Sequence, residues 1–244
     1  MKVIDVSKWN GKIEWDKVKA SGIEGVIIRA GYGCDISQKD KSFEEYYKGA
    51  KQAGLHIGSY WFSYALTEEA VAKEASVFLE AIKGKQFDLP VYFDIETIPH
   101  TTLSKLTCGS LINKFCSSLE KANYFAGVYS FDTFFFSNIP EAIQKRFASW
   151  VARVENVKPS FVKNYGIWQH SWKGKVDGIS GDVDMNICYK DYPTLIKGKG
   201  LNGFGKAPAK YTVTSRIAEL SIEQATKIAE DCKRLGMSAI IAEQ

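Results

Sequence analysis

No stretch of this 244-residue chain stays apolar long enough to cross a bilayer, so no membrane insertion is expected. The opening MKVIDVSKWNG lacks the apolar centre and small-residue cleavage site of a secretory leader. The expectation is synthesis in a cytoplasm without export by that route. There is no C-x-x-C pair. Cys34, Cys108, Cys116, Cys188 and Cys232 are odd in number and widely spaced, which favours free thiols over a disulfide frame or a zinc site. His56, His100 and His170 lie far apart with no ligand pattern around them, so no metal site is read. G-x-S-x-G, Walker A and dinucleotide fingerprints are missing, Gly31-Tyr32-Gly33 is only a bare G-x-G, and no cofactor is expected. A net charge of +4 without a basic stripe argues against nucleic acid as a partner but fits an anionic polymer.

What is present is an ordinary globular composition, 45% hydrophobic and 25% charged, arranged as short apolar runs. Strands are predicted over 2–7, 25–31, 56–63, 89–96, 125–131, 147–154, 165–171 and 183–189. Helical spacing fills the early intervals: Phe43, Tyr46, Tyr47 and Ala50 share one face, as do Val71, Ala75, Phe78, Leu79 and Ile82, and a third helix is predicted over 103–123. Strands alternating with helices imply crossovers and a mostly parallel sheet. Eight such strands suggest an α/β fold, a TIM-like β/α barrel.

The last third departs from the full pattern. The gap between strands six and seven is too short for a crossover helix and its loops. SWKGKVDGISGD, rich in Gly, Lys and Asp, reads as a hairpin loop, so strand eight is expected to run antiparallel to strand seven. The barrel should have about five helices and a helix-poor closing side, over residues 1–194. Residues 195–210 read as a Gly/Lys linker. Residues 211–244 read as one small β-α-β unit with strands at 211–214 and 238–242. Its helix has a Ser221/Gln224 capping box, an apolar face of Ile222, Ala225, Ile228, Ala229, Cys232 and Leu235, and Gly236 as its cap.

VYFDIE at Val91–Glu96 ends an apolar run in two acids. Side chains alternate along a strand, so Asp94 and Glu96 share a side, their Cα atoms about 6.5–7 Å apart. In parallel barrels the strand C-termini form the active mouth. Two acids there raise each other's pKa, burial adds to this, and one can keep a proton for a leaving oxygen. That is glycosidase chemistry; the plain alternative is a strand end whose acids cap loops or pair with lysine. Asp5 ends strand one, and Asp184 begins strand eight at the same mouth if that strand is antiparallel. Trp9, Tyr32, Tyr60, Trp61, Tyr64, Tyr129 and Trp168 fall at strand ends; singly each suits a core, together they suit a saccharide groove.

The ordered motifs D-V-x-x-x-N-G (Asp5–Gly11), F-D-I-E (Phe93–Glu96), G-V-Y-S (Gly127–Ser130), W-V-A-R (Trp150–Arg153), W-Q (Trp168-Gln169) and D-x-N (Asp184–Asn186) resemble glycoside hydrolase family 25, the Chalaropsis-type lysozymes common as phage endolysins and autolysins. The resemblance covers about residues 1–192. Many members carry K-x-[ST]-E-G after strand two, where this chain has Arg29-Ala30-Gly31-Tyr32-Gly33, so substrate contacts from that loop need not carry over.

The resemblance implies a peptidoglycan hydrolase that cuts the β-1,4 bond from N-acetylmuramic acid to N-acetylglucosamine. It makes Glu96 the general acid and Asp94 the partner of the substrate's 2-acetamido group. Asp5 and Asp184 support them, and Tyr32, Tyr60, Tyr129, Arg153, Trp168 and Gln169 are expected to contact substrate. An inverting scheme with a water between two carboxylates stays open. So do an inactive sugar-binding barrel and a hydrolase of another polysaccharide such as chitin. The tail resembles half of a SPOR-type wall-binding domain, which predicts wall binding or a homo-oligomer through 211–244.

Overall fold

A computed structural model describes residues 1–154, 157–162, 164–205 and 221–234. The eight apolar runs become β1 (Lys2–Val6), β2 (Gly25–Tyr32), β3 (His56–Phe62), β4 (Val91–Asp94), β5 (Ala126–Phe131), β6 (Ala148–Ala152), β7 (Ile167–Gly174) and β8 (Val183–Cys188). They pair in chain order into a closed barrel. β1 to β7 are parallel, and β8 runs antiparallel to both of its neighbours, as the loop composition predicts. β7 continues to Gly174, so the hairpin loop is 175–182, turned by Gly178 and Gly181 at φ +96° and +95°.

The helices are α1 (Trp15–Ala20), α2 (Phe43–Gln52), α3 (Glu68–Ala81), α4 (Ile98–Thr101), α5 (Lys105–Lys121), α6 (Asp132–Asn138), α7 (Glu141–Arg146), α8 (Tyr192–Lys199) and α9 (Ile222–Arg234). Among the described residues before 206 there are eight helices where about five were expected; α1, α4, α6 and α7 are each too short to show a helical period. Among the described residues no helix joins β6 to β7. No helix there is long and apolar enough to cross a membrane.

Two apolar layers hold the barrel. Outside it, Val26, Ile28, Ile57, Trp61, Phe93 and Val128 pack under Phe43, Val71, Phe78 and Phe115 of the helices. Inside, Val3, Ile27, Tyr92, Trp150 and Ile167 fill the lumen, with Tyr92 edge-on to Trp150 at 5.2 Å. Gly127 is required beside them, since a Cβ there would stand 2.4 Å from the Tyr92 ring.

The expected linker at 195–210 is corrected over its first part. Residues 195–199 belong to α8, whose Tyr192 and Ile196 join Leu201 and Phe204 in the same apolar cluster as the lumen residues. Asn202, fully buried, accepts from Phe125 N at 2.6 Å and donates to the Phe87 and Leu89 carbonyls at 3.0 and 2.9 Å. Residues 195–205 therefore plug the end of the barrel opposite the mouth.

The chain divides into two compact units, Met1–Gly205 and Lys206–Gln244. In the second, α9 starts at the predicted box: Ser221 N donates to Gln224 Oε1 at 3.0 Å, and Gln224 N to Ser221 Oγ at 3.3 Å. Ala225, Ala229 and Cys232 are half-buried, while Ile222 and Ile228 are exposed. The strands expected at 211–214 and 238–242, Leu235, Gly236 and positions 206–210 lie outside the described residues.

Candidate active site

Asp5 and Asp184 sit directly opposite each other in the β1–β8 ladder. This follows from the antiparallel β8, which brings its first residues to the C-terminal end of β1. Asp94 ends β4, in register with Phe62 on one side and Tyr129 on the other. Glu96 follows two residues on, and Ile95 between them is held by its N–H on the Tyr129 carbonyl (3.1 Å) and its carbonyl under Ser130 Oγ (2.6 Å). The two acids therefore face one cavity.

A polar relay joins β1, β5, β7 and β8 under these acids. Asn186 Nδ2 and Gln169 Nε2 donate to Asp5 Oδ2 at 2.7 and 3.0 Å. Gln169 Nε2 also lies 3.5 Å from Asp184 Oδ2. Its Oε1 accepts from the Tyr129 hydroxyl at 2.8 Å and from Trp172 Nε1 at 3.0 Å. Trp150 Nε1 fixes Asn186 by donating to its Oδ1 at 2.7 Å. The amide orientations of Asn186 and Gln169 are thereby set, and both turn donors toward Asp5.

Burial penalises the charged form of every acid here. It raises Glu96 to about 7, with the charge of Asp5 adding to the effect and Tyr129 opposing it. It raises Asp184 to about 8, again helped by Asp5. Asp5 rises only to about 6, because Asn186 and Gln169 hydrogen-bond its anion. Asp94 is pushed well above the carboxylate range by burial, then by Glu96 and Asp5, with Arg29 opposing. Its Oδ1 is buried with no hydrogen-bond partner among the described residues. The site thus holds one acid, Asp5, that ionises below its neighbours, and others that keep protons toward neutrality.

The sequence pattern of Glycosyl hydrolases family 25 matches residues 4–179. The chain belongs to glycosyl hydrolase family 25. The autolytic lysozyme of Clostridium acetobutylicum is 31% identical over 186 residues, 76% of this chain and 55% of its own. Lysozyme M1 of Streptomyces globisporus is 32% identical over 197 residues, 75% of this chain and 66% of its own. The crystal structure of a bacterial lysozyme from Streptomyces coelicolor aligns with a TM-score of 0.70 at 27% identity, covering 83% of this chain and 97% of that one. This chain spans 55% and 66% of the length of the two curated relatives.

The remaining expected contacts divide in this family 25 barrel. Tyr60 faces the cavity, edge-on to Trp150 at 5.9 Å, its hydroxyl pKa pushed well up by burial and then by Asp5. Tyr129 and Gln169 are built into the relay. A register shift between Arg29 and Gly31 sets Tyr32 opposite Phe62, and its ring meets Tyr64 edge-on at 6.1 Å. Trp61 is fully buried in the layer beneath the helices, its Nε1 donating to the Gly33 carbonyl at 3.0 Å. Trp168 is the departure: it alternates with Gln169 along β7, is 5% exposed, and its Nε1 donates to the Arg153 carbonyl at 2.7 Å. The structure gives it a packing role on the far side of β7, away from the acids.

Arg153 stands on the rim, its Nη1 2.8 Å from Asp132 Oδ2. Asp132 in turn accepts from the backbone N–H groups of Ser160, Phe161 and Val162, which fixes the β6–β7 connection there. Arg29 emerges as an unforeseen member of the site. It lies inside the barrel, pairs with Asp40 at 2.7 Å, and opposes the upward shift of Asp94. Asn186 stood in the D-x-N motif, but nothing in sequence assigned it to Asp5.

Proposed function

We propose that the chain is a muramidase, a peptidoglycan hydrolase cutting the β-1,4 bond between N-acetylmuramic acid and N-acetylglucosamine. The observation that carries this reading is Glu96. It is an acid at the mouth that keeps its proton to about pH 7, beside the buried Asp94 whose Oδ1 has no partner among the described residues. A glycosidic oxygen leaves readily only if it is protonated as the bond breaks, and Glu96 supplies that proton. The unpartnered Asp94 oxygen suits the N–H of the sugar's 2-acetamido group. So oriented, the acetamido carbonyl oxygen attacks C1 as the leaving oxygen takes the Glu96 proton. Water then attacks C1, breaking its bond to the acetamido oxygen and restoring the acetamido group, and gives up a proton to Glu96. A water between two carboxyls, with inversion at C1, is the competing scheme; the anomer first released distinguishes them.

A sugar-binding barrel without activity has no use for a proton donor tuned near neutrality. The test is digestion of purified peptidoglycan followed by mass spectrometry of the fragments. Muramic acid at the new reducing ends is expected, and N-acetylglucosamine there, or cleavage in the peptides, would overturn the assignment. In this reading the enzyme acts on the cell wall after release from the cytoplasm.

For residues 211–244, we infer a wall-binding or self-associating module. One β-α-β length of sequence buries too little core to stand alone. Two-stranded pieces are marginal in water, and the amphipathic α9 leaves Ile222 80% and Ile228 45% exposed.

A further inference from the structure

Of six tryptophans, Trp15, Trp61, Trp150 and Trp168 are buried, and Trp172 spends its N–H on Gln169. Trp172 is 46% exposed, and Trp9 is the most exposed at 78%. Nothing about its loop is frayed. Ser7 and Asn10 form a reciprocal cap across a 3-10 turn at Lys8–Asn10, with Ser7 N donating to Asn10 Oδ1 at 2.9 Å. Gly11 turns the chain at φ +64°, and its carbonyl accepts from the Tyr46 hydroxyl. Lys8 N donates to Asp40 Oδ2 at 3.2 Å, on the carboxylate that also pairs with Arg29. Asn10 Nδ2 reaches the Asp182 carbonyl at 3.4 Å, on the segment leading into Asp184. The loop therefore crosses from the end of β1 to the start of β8, on the rim above Asp5 and Asp184. It holds an indole out to solvent, with Lys8 Nζ 4.8 Å from the ring centroid.

A large aromatic face kept in water by so many anchors is preorganised for a partner. We propose that Trp9 is a stacking platform for a sugar ring of the glycan strand outside the pair flanking the cleaved bond, and that Lys8 meets a carboxylate on that ring's substituent. The inference rests on the peptidoglycan reading above. The acids lie buried under the mouth and the indole stands on its rim, so they face different rings. Pyranoses offer apolar faces to indoles, and muramic acid bears a lactyl group whose carboxyl is free or extended into an acidic peptide. A neutral polysaccharide would leave Lys8 without a partner.

The test uses the full chain carrying Glu96→Gln, which binds without cutting, and calorimetry with size-fractionated glycan strands. Trp9→Ala is expected to weaken binding of long peptide-free strands roughly tenfold, the scale of one aromatic contact. It should leave binding of the minimal disaccharide unchanged, and Trp9→Phe should stay within about threefold of the parent. Lys8→Gln should weaken peptide-bearing strands and leave neutral N-acetylglucosamine oligomers unaffected. Unchanged long-strand affinity in Trp9→Ala would overturn the platform, as would an equal loss on the disaccharide. A Trp9→Ala effect confined to self-association by light scattering would make the partner a second copy and also end the proposal. If the Glu96→Gln parent binds no strand at all, the peptidoglycan reading falls and takes this inference with it. Retained binding that ignores Trp9 removes this inference alone.

Discussion

At Glu96 a single proton decides the reaction. Glu96→Gln keeps the size and removes the proton, so turnover should fall by about 10²–10⁴-fold, while circular dichroism and wall binding stay as in the parent. Asp94→Asn should also be severely impaired; near-normal turnover would remove the acetamido scheme's protein partner. The pH profile follows from the same group. Glu96 must be protonated, so activity is expected to decline as pH rises through about 7. Asp5→Asn removes a charge that raises Glu96, so its residual activity should show that limb at lower pH. The linkage to stability has a definite sign. Glu96 holds its proton to about pH 7 in the fold against an ordinary value of 4.5. Its ionisation therefore destabilises the fold, a penalty that begins above pH 4.5 and is complete above about 7. Thermal melts of Glu96→Gln should gain stability on the order of 1–3 kcal/mol at pH 8 and nothing at pH 4; an equal gain at both would refute the assignment.

Among the elements, the segment from α8 to Gly205 is the one whose composition misleads. Its Gly and Lys content resembles a linker, yet Asn202 satisfies Phe125 N–H and the Phe87 and Leu89 carbonyls at once. Asn202→Ala leaves three buried backbone groups unpaired, each costing about 1–3 kcal/mol if water cannot reach it. A loss of roughly 3 kcal/mol or more is expected from denaturant melts; a loss below about 0.5 kcal/mol would mean the plug is dispensable. β8 shows the opposite case. Its antiparallel direction was legible, because a Gly-rich loop of this length makes a hairpin and has no room for a crossover helix.

For the whole molecule, the boundary at Gly205 makes a prediction about truncation. A 1–205 chain should melt cooperatively and close to the full chain, whereas 1–194 loses Ile196 and Asn202 and should be markedly less stable. Matched melting temperatures for the two truncations would contradict the plugged barrel. Light scattering on the full chain and on 1–205 addresses the tail. Self-association should be present in the first and gone in the second. A monomeric full chain at micromolar concentration would dismiss an oligomer, and equal cell-wall pull-down by 1–205 would dismiss a binding module.

Local pattern alone determined much of this protein: eight strands from apolar runs, the direction of β8 from its loop, and the shared face of Asp94 and Glu96 from the two-residue period of a strand. These rest on neighbours a few residues apart. Tertiary structure decided the rest, because the deciding partners are distant in sequence. Asn186 reaches Asp5 across 181 residues, and Asn202 reaches Phe87 across 115. Trp168 and Gln169 are adjacent in sequence, and only the closed barrel shows that one is packing and the other part of the relay. The pKa order among four acids likewise exists only once the fold has removed water from them and aimed two amides at Asp5.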